Sequence, residues 1–364
     1  MLEILLLVAL LLGIFYLLAV VCDEFFVDSL EIISDRLKLS SDVAGATFMA
    51  IGSSAPELFT SILALMRPGS EDVGSGTIVG SAIFNILVII GASALFRAAK
   101  LNWQPVVRDT MFYSFSIVIL LISFWDGRII LAEALSFVVL YAVYIFAVIK
   151  WRTWFPYKEK DDPIDILEAE SAKNPVAVWS KKLLGIFIPD SRQKPERYII
   201  TFVMSIVAIA VLSHFLVDTA VHLGELIHVP AVIISLTILA AGTSVPDLLS
   251  SIAVAKKGRG DMAISNAVGS NIFDILFGLG VPWAGLLIYR QLTGAGEAFV
   301  PVATENLKGS VFLLFATLLA TFFMIALRNW RIGPKAGLLL IFIYLSYLGY
   351  NILSVMGLVN LTPL

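Results

Sequence analysis

The sequence has little charge and very few soft metal ligands. Only 15% of its 364 residues are charged and 59% are hydrophobic, whereas soluble domains have about 25% charged residues. The single cysteine, Cys22, excludes an intramolecular disulfide and lies in an apolar run, where a buried, unreactive thiol is expected. The three histidines, His214, His222 and His228, do not have a metal-ligand spacing. These scarcities argue against a soluble domain and against a soft-metal site.

The N-terminus lacks the basic segment that a cleaved signal peptide carries. Residues 4–22 are instead apolar and long enough to span a bilayer, so we expect the first transmembrane helix there. The hydrophobic pattern along the chain predicts an all-α, multi-pass membrane protein with ten transmembrane helices. Their expected ranges are 3–34, 42–66, 73–96, 106–125, 129–149, 198–226, 231–255, 262–289, 309–327 and 336–357.

The positive charges predict that the N-terminus lies outside the cell membrane. In that orientation 21 of the 25 Lys and Arg fall inside, Arg108 among them, and only Arg67, Arg128, Arg290 and Lys308 fall outside. Cytoplasmic loops of membrane proteins carry such an excess of positive charge. The bias remains when the long central loop is left out.

The central segment is proline-rich and charged, and it divides the chain into two similar parts. We predict a first five-helix repeat over 1–150, a cytoplasmic linker over 151–196 and a second five-helix repeat over 197–364. Residues 176–188 combine apolar side chains with Trp179 and two lysines, which indicates an interfacial helix. A partly ordered linker is an equal alternative for that stretch.

One motif occurs twice, at 50–57 and at 240–247, and it reveals an internal repeat. A shift of 190 positions places Gly52, Ser54, Pro56 and Glu57 on Gly242, Ser244, Pro246 and Asp247. After a one-residue slip, Gly80, Ser81, Phe84 and Asn85 fall on Gly269, Ser270, Phe273 and Asp274. Because each half has an odd number of spans, the second half must enter the bilayer from the opposite side. Transporters with inverted repeats bind substrate near the midplane, on interrupted helices.

The repeated motifs place oxygen atoms on one face of each helix. A carboxylate within a membrane span indicates a functional site by default. Helical spacing aligns Ala50, Ser53, Ser54 and Glu57, and equally Ala240, Thr243, Ser244 and Asp247; in the following helices it aligns Ser81 with Asn85 and Ser270 with Asp274. Pro56 and Pro246 each remove a helical N–H and so free the carbonyl four residues earlier. Such hard oxygen ligands suit Ca²⁺ and Na⁺.

The three acids Glu57, Asp247 and Asp274 carry a charge of −3 when all are ionised. One Ca²⁺ would leave −1, which a monovalent cation or protonation of one acid could balance. Several Na⁺ ions could balance the same site. A site that accepts Ca²⁺ or a group of Na⁺, but not both, would be an exchanger. Asp28 and Asp218 also pair in the repeat, but they lie towards helix ends and are expected to be structural or vestibule groups.

The chain resembles the calcium/cation antiporter superfamily, and most closely the potassium-dependent sodium/calcium exchangers. The stretches that carry this resemblance are 21–27, 41–50, 52–61, 76–85, 239–247, 260–263 and 269–274. The resemblance implies that Glu57 and Asp247 are the main Ca²⁺ carboxylates. It further implies ligands from the hydroxyls of Ser54, Ser81, Thr243, Ser244 and Ser270, the amide of Asn85, and the carbonyls of Ala50 and Ala240; an acid at the position of Asp274 goes with K⁺ co-transport.

We therefore expect a secondary antiporter of the plasma membrane and not an enzyme. Na⁺ moving inward would drive Ca²⁺ outward, with K⁺ accompanying Ca²⁺, and the long first and sixth helices would gate the site. No tightly bound cofactor and no nucleic acid partner is expected; the partners are inorganic cations and the lipid bilayer. A Ca²⁺/H⁺ exchanger is the first alternative, and an intramembrane aspartyl enzyme that uses Glu57 and Asp247 is a more distant one.

Overall fold

The computed structural model describes residues 2–66, 71–158, 175–226, 240–294, 296–302 and 307–355. Several sequence predictions lie outside these residues. They are the first part of the seventh span (231–239), the end of the tenth (356–357), much of the linker (159–174), Arg67 and His228.

Helices make up most of the described chain, and eight are long and apolar enough to cross a membrane. In a bilayer the backbone must satisfy its own hydrogen bonds, and these apolar runs do so as helices. The eight spans are Leu2–Leu37, Ser75–Phe96, Trp103–Ser123, Leu131–Trp154, Tyr198–Leu216, Gly260–Thr293, Gly309–Leu327 and Pro334–Leu353. The protein is therefore an integral, multi-pass membrane protein.

The helical segments have the following bounds in chain order. They are Leu2–Val21, Cys22–Val27, Asp28–Leu37, Ser41–Ala44, Gly45–Met49, Ala50–Ser53, Ala55–Met66, Glu71–Phe84, Asn85–Ile89, Ile90–Phe96, Trp103–Ser123, Leu131–Trp154, Pro175–Leu184, Pro195–Arg197, Tyr198–Leu226, Ala240–Thr243, Val245–Lys256, Gly260–Phe273, Asp274–Leu279, Gly280–Thr293, Leu307–Leu327 and Pro334–Val355. Cys22–Val27, Gly45–Met49, Asn85–Ile89 and Asp274–Leu279 are π-helical, and Pro195–Arg197 is a 3₁₀ turn.

Two predicted spans, 42–66 and 231–255, are not among the eight continuous helices. Residues 41–66, the first broken helix, are interrupted at Ser54 (φ −86°, ψ 9°). Residues 240–256, the described part of the second broken helix, are interrupted at Ser244 (φ −84°, ψ 3°). Each interruption puts the following proline in the first turn of a new helix, where a missing N–H costs no hydrogen bond. The two breaks thus have nearly the same backbone geometry at positions that the repeat makes equivalent.

The helix after each broken helix contains a π-helical turn. It begins at Asn85 in the first partner helix, 71–96, and at Asp274 in the second partner helix, Gly260–Thr293. A π-turn inserts one residue into a helix and is frequent at functional sites. Both turns therefore start at residues that the sequence had singled out as possible ligands.

Among the described residues, four short strands add to the predicted all-α architecture. β1 (Ala99–Lys100) pairs antiparallel with β4 (Arg331–Ile332), and β2 (Arg128–Ile130) pairs antiparallel with β3 (Phe299–Pro301). β1 and β2 belong to the first half of the chain, and β3 and β4 belong to the second. Each ribbon therefore joins a loop of one half to a loop of the other.

The first long helix (Leu2–Leu37) and the second long helix (Tyr198–Leu226) pack together at the side of the bundle. The Phe26 and Phe202 rings stack with centroids 5.4 Å apart. In the most apolar 18-residue stretch of the first long helix, only 22% of the residues are buried. The corresponding share in Ser75–Phe96 is 78%. The long helices thus face lipid over much of their surface, whereas the partner helices form the core.

Salt bridges connect the first long helix to other segments at the end that contains Asp28. Asp28 is 3% exposed and pairs with Arg192 (2.5 Å) and Lys257 (3.1 Å), and Lys257 also pairs with Glu31 (3.3 Å). Burial lowers the pKa of Lys257, but the negative charges of Glu31 and Asp28 together outweigh this effect. The pKa of Lys257 is therefore raised above its ordinary value. Of the two roles predicted for Asp28, the structural one fits this geometry. Asp218, in contrast, is exposed beside His214.

Candidate functional site

The three predicted acids are all removed from solvent in the middle of the bundle. Glu57 and Asp247 are 0% exposed and Asp274 is 1% exposed. Glu57 lies three residues after the first helix break, Asp247 three residues after the second, and Asp274 at the start of a π-turn. We call Glu57, Asp247, Asp274 and the donors around them the carboxylate site.

Each carboxylate on a broken helix is contacted by side chains from the other half of the chain. Ser244 donates to Glu57 Oε1 (3.2 Å), and Asn85 Nδ2 donates to Asp247 Oδ2 (3.1 Å). Asp247 Oδ1 accepts a further hydrogen bond from Ser270 (3.0 Å). The Thr243 hydroxyl neighbours Glu57, the Ser53 hydroxyl neighbours Asp247, and the Ser54 hydroxyl neighbours Asp274. The structure therefore brings these residues of the two motifs together.

Close helix packing makes this convergence possible. A Cβ added at Gly80 would lie 2.9 Å from the Ala240 side chain, and one at Gly269 would lie 2.9 Å from Ala46 Cα. A Cβ at Gly45 would collide with the backbone oxygen of Met262. Only small residues allow helix backbones to approach this closely. In all three contacts a broken helix of one half lies against the partner helix of the other.

A chain of hydrogen bonds fixes the orientation of the Asn85 amide. Asn271 Nδ2 donates to the Ala82 carbonyl (3.0 Å) and to the Tyr113 hydroxyl (2.9 Å). The Asn271 oxygen is thereby turned toward Asn85, and it accepts from Asn85 Nδ2 at 2.9 Å. Because Asn85 Nδ2 donates to both Asn271 and Asp247, the Asn85 Oδ1 atom remains available as an ion ligand. Neither Asn271 nor Tyr113 was predicted from the sequence, although Asn271 lies directly beside the predicted Ser270.

Several buried oxygens of the carboxylate site have no hydrogen-bond donor within the described part of the chain. They are Glu57 Oε2, Ser54 Oγ, Asn85 Oδ1 and both carboxylate oxygens of Asp274. Buried polar atoms are normally hydrogen-bonded, and an unpaired buried carboxylate is particularly costly. The donor set is made of hard oxygens, so it fits the ligand preferences of Ca²⁺ and Na⁺.

The acids do not form a compact metal cluster by themselves. Across residues 2–66, 71–158, 175–226, 240–294, 296–302 and 307–355, no three Asp, Glu, His or Cys side chains are grouped closely enough to hold one ion. Glu57 nevertheless experiences the charges of Asp274 and Asp247. An ion at this site would therefore take a mixture of carboxylate, hydroxyl and amide oxygens.

Other predicted ligands make local hydrogen bonds in this conformation. The Ser81 hydroxyl donates to the Thr77 carbonyl (2.7 Å), and the Ser53 hydroxyl donates to the Met49 carbonyl (2.8 Å). The Ala50 carbonyl accepts from the Ser54 N–H (3.0 Å), and the Ala240 carbonyl accepts from the Thr243 hydroxyl (3.3 Å). Of these residues, Ser53 also neighbours Asp247, whereas Ser81, Ala50 and Ala240 show no described contact with the three acids. To bind an ion, each of these four oxygens would have to share its present hydrogen bond or break it.

A second buried ionic group was also missed by the sequence analysis. Arg108, which we had placed in a cytoplasmic loop, lies within the helix Trp103–Ser123 and is 0% exposed. It forms ion pairs with Asp42 (2.8 Å) and Asp109 (2.7 Å). We call Arg108, Asp42, Asp109 and their hydrogen-bond partners the arginine cluster. The prediction of a loop position was wrong because residue 108 lies inside the helix, as the predicted span 106–125 itself implies, and its side chain is buried among acids instead of facing the cytoplasm.

Comparison with known proteins gives a consistent set of relatives. The sequence profile of the family described as sodium/calcium exchanger protein matches residues 7–150 and 197–353. The chain is 30% identical to sodium/potassium/calcium exchanger 4 of Homo sapiens, over 93% of this chain and 79% of that protein. It is 31% identical to exchanger 5 of Homo sapiens, over 94% and 81%, and 31% identical to exchanger 2 of Gallus gallus, over 93% and 76%.

The fold is also similar to that of a solved membrane protein. The structure of the sodium-calcium exchanger NCX_Mj, soaked with Na⁺ and Sr²⁺, superimposes with a TM-score of 0.67 at 24% sequence identity. The alignment covers 95% of this chain and 99% of that one.

Proposed function

Given that this chain belongs to the sodium/calcium exchanger protein family, we propose that it exchanges Na⁺ for Ca²⁺ by alternating access and moves K⁺ together with Ca²⁺. Membership of the family confirms the resemblance inferred from the motifs. The relatives are transporters, so the chain is not an enzyme, and the aspartyl enzyme alternative is excluded.

One observation carries the proposal. The two broken helices bring Glu57 and Asp247 into a shared, fully buried site, in which carboxylate and amide oxygens lack donors among the described residues. Neutral hydroxyls and an amide surround three acids there, and a bound cation would compensate both the charge and the unsatisfied oxygens. Because Ca²⁺ and Na⁺ would use the same oxygens, their binding would be mutually exclusive.

We assign the ions to the oxygens predicted from the sequence. Glu57 and Asp247 would be the main Ca²⁺ ligands. The remaining proposed ligands are Asn85, Asp274, Ser53, Ser54, Ser81, Thr243, Ser244, Ser270 and the carbonyls of Ala50 and Ala240. The ions are transported substrates, and we propose no tightly bound cofactor.

We further propose ten transmembrane helices arranged as two inverted five-helix repeats. Three features support this arrangement: the matching helix breaks at Ser54 and Ser244, the matching π-turns at Asn85 and Asp274, and the two ribbons that each take one strand from each half. The division into repeats at 1–150 and 197–364, with a cytoplasmic linker at 151–196, stays a prediction.

The long helices would open and close the path to the carboxylate site. They form a hydrophobic cluster of their own with parts of the second broken helix. A Cβ at Gly52, next to Ser53, would lie 2.5 Å from the Phe26 ring of the first long helix. Movement of Phe26 would therefore change the packing directly beside the site. The site is closed to solvent in this conformation, as an occluded state requires.

K⁺ co-transport is proposed on the position of Asp274 and on the names of the relatives. The human relatives are named sodium/potassium/calcium exchangers. Asp274 adds a third acid, so Ca²⁺ alone would leave a net negative charge that K⁺ could balance. In Asp274→Asn, we expect Na⁺-driven Ca²⁺ flux to persist without K⁺.

We place the chain in the plasma membrane with its N-terminus outside. The lysine and arginine bias supports this orientation, although Arg108 is buried and no longer counts as a loop charge. Inorganic cations and the bilayer are the proposed partners. The predicted absence of a nucleic acid partner stays a prediction.

Flux measurements in proteoliposomes test the proposal. Protein is reconstituted with Ca²⁺ on one side, and Na⁺, K⁺ or H⁺ gradients are imposed separately. We expect Ca²⁺ movement that reverses with the Na⁺ gradient and slows greatly when K⁺ is omitted. Ca²⁺ flux that ignores the Na⁺ gradient would contradict Na⁺/Ca²⁺ exchange, and flux unchanged without K⁺ would contradict co-transport.

Ca²⁺/H⁺ exchange is the second candidate. It is favoured by Asp274, a buried acid whose two oxygens both lack a described donor, because a proton would neutralise it without any other ligand. Ca²⁺ flux driven by a pH gradient in Na⁺-free solution would select this candidate.

A further inference from the structure

The central segment forms a cleft that the proposed transport function does not use. The cleft has a volume of about 490 Å³ and lies between the helix Pro175–Leu184 and the turn that precedes Tyr198. Its lining combines cations with apolar side chains: Lys181, Lys182, Lys194, Arg197, Ile186 and Phe187. Few ligand classes match both kinds of surface.

The charge of the cleft is strongly positive. Lys182, Lys194 and Arg197 are exposed, and Asp190 is the acidic side chain in the described lining. Asp190 is already engaged: its carboxylate accepts from the Arg192 N–H (2.9 Å) and from the Gln193 side chain (3.2 Å). The exposed ammonium and guanidinium groups are therefore available to an anion.

The apolar side chains of the same region are strongly exposed. Ile186 is 73% exposed, Phe187 70% and Trp179 64%. An amphipathic segment with cations on one side and large apolar residues on the other lies at the boundary between headgroups and acyl chains. Lipid acyl chains can cover these exposed apolar side chains, whereas a free phosphate ion would leave Ile186 and Phe187 in water.

We propose that this cleft binds an anionic phospholipid. Lys182, Lys194 and Arg197 contact the headgroup phosphate, and Ile186 and Phe187 contact the upper acyl chains. Basic pockets on the cytoplasmic side of membrane proteins bind acidic headgroups in this way. The proposal depends on the membrane location of the chain and not on which ions it transports.

The cleft is coupled to the first long helix. Lys181 lines the cleft and also pairs with Glu24 (2.6 Å), and Arg192, close by in the chain, pairs with Asp28 (2.5 Å). Both acids lie on the first long helix, which we propose to move during transport. A bound headgroup competes with Glu24 for Lys181, so lipid occupancy changes how tightly this helix is held.

Lipid binding to the purified full-length protein tests the site. The protein is held in neutral detergent and titrated with phosphatidylglycerol or phosphatidylcholine, and bound lipids are counted by native mass spectrometry. The test variant is Lys182→Gln/Lys194→Gln/Arg197→Gln. The matched control, Lys100→Gln/Arg328→Gln/Lys335→Gln, removes three exposed charges on the same predicted side of the membrane.

We expect the wild type to prefer phosphatidylglycerol and the test variant to bind it at least about tenfold more weakly, because it lacks three cationic side chains that attract an anionic headgroup. The control should match the wild type. Equal losses in both triple variants, or no loss in either, would overturn the proposal.

A second variant, Ile186→Ser/Phe187→Ser, tests the apolar half of the cleft. It keeps every charge, and we expect weaker binding of phosphatidylglycerol with no change in binding of inorganic phosphate. Unchanged lipid affinity would contradict a lipid ligand, as would displacement of the lipid by inorganic phosphate or by an acidic peptide at equal concentration.

Discussion

The arginine cluster and the carboxylate site are both buried groups of acids, but they differ in what compensates the charge. In the arginine cluster, Arg108 neutralises one acid, and all four carboxylate oxygens have partners: Tyr157 and Arg108 for Asp42, and Arg108, Tyr144 and Ser265 for Asp109. The carboxylate site contains three acids with neutral hydroxyl and amide neighbours, and five of its oxygens lack a described donor.

The difference fits a structural role for the arginine cluster and the proposed transporting role for the carboxylate site. A covalently attached cation such as Arg108 cannot leave, so the arginine cluster ties four segments of the bundle together permanently. The carboxylate site has no protein cation among the described residues, so ions or protons from solution would have to neutralise it, and these can leave again. Buried acids are therefore not sufficient to identify an ion path; unsatisfied acids without a protein cation are more informative.

The largest expected effect follows from removing a charge in the carboxylate site. In Glu57→Gln, Ca²⁺ exchange in proteoliposomes should fall to background, while the fold persists because glutamine can still accept from Ser244. Ca²⁺ at 100 times its Kd should stabilise the wild type by about 2.7 kcal/mol and the variant hardly at all. An equal Ca²⁺-induced shift of thermal unfolding in both proteins would contradict the assignment.

The opposite result is expected in the arginine cluster. Arg108→Leu leaves two buried acids without their cation, which should cost about 3–5 kcal/mol of stability. Replacing all three charges, in Asp42→Asn/Arg108→Leu/Asp109→Asn, should recover most of the loss. The measurement is thermal unfolding in detergent, with the exposed Arg331→Leu as control. If Arg108→Leu is no less stable than Arg331→Leu, the cluster is not structural.

A third change tests the contact between the carboxylate site and the first long helix. In Gly52→Ala, the new Cβ would meet the Phe26 ring at 2.5–2.6 Å, and this ring is held by its stack on Phe202. Overpacking of this kind costs about 1–3 kcal/mol, and it should also slow Ca²⁺ exchange. Gly13→Ala is the control, because a Cβ there has nothing within 4 Å. Equal exchange rates in the two variants would show that Phe26 does not restrict the site.

The smallest effect concerns the orientation of Asn85. Tyr113→Phe removes one acceptor from Asn271, which should cost about 0.5–1.5 kcal/mol. Because the Asn85 amide is then less fixed, the KM for Ca²⁺ should rise severalfold with little change in the maximal rate. Tyr141→Phe is the control, since its hydroxyl has no partner in the described ranges. A fall in maximal rate at constant KM would instead indicate a general packing defect.

Much of the carboxylate site could be predicted because its signals are local. Prolines, small residues and acids recur at fixed helical spacings, and the repeat indicates that the two copies meet. This reasoning identified Glu57, Asp247, Asn85 and Asp274. It could not establish that Ser81 bonds to its own helix, because a hydroxyl can return to the carbonyl four residues earlier at almost no cost.

The arginine cluster could not be predicted for a different reason. Arg108 and Asp42 are 66 positions apart, and they do not belong to any repeated motif. A lone arginine near a helix end is usually a loop charge, so the general rule gave the wrong answer here. The strands, two or three residues long, are also too short to leave a periodic pattern.

The two ribbons have a consequence for how such a protein could arise. Either half by itself would expose two unpaired strands and would lose the donors that the other half supplies to its acid. In the proposed inverted arrangement, a half-length ancestor would have needed a second copy, inserted in the reverse sense, before it could hold an ion. Cutting the gene within the linker and producing both fragments together should accordingly regenerate a working pair, whereas neither fragment alone should accumulate in the membrane.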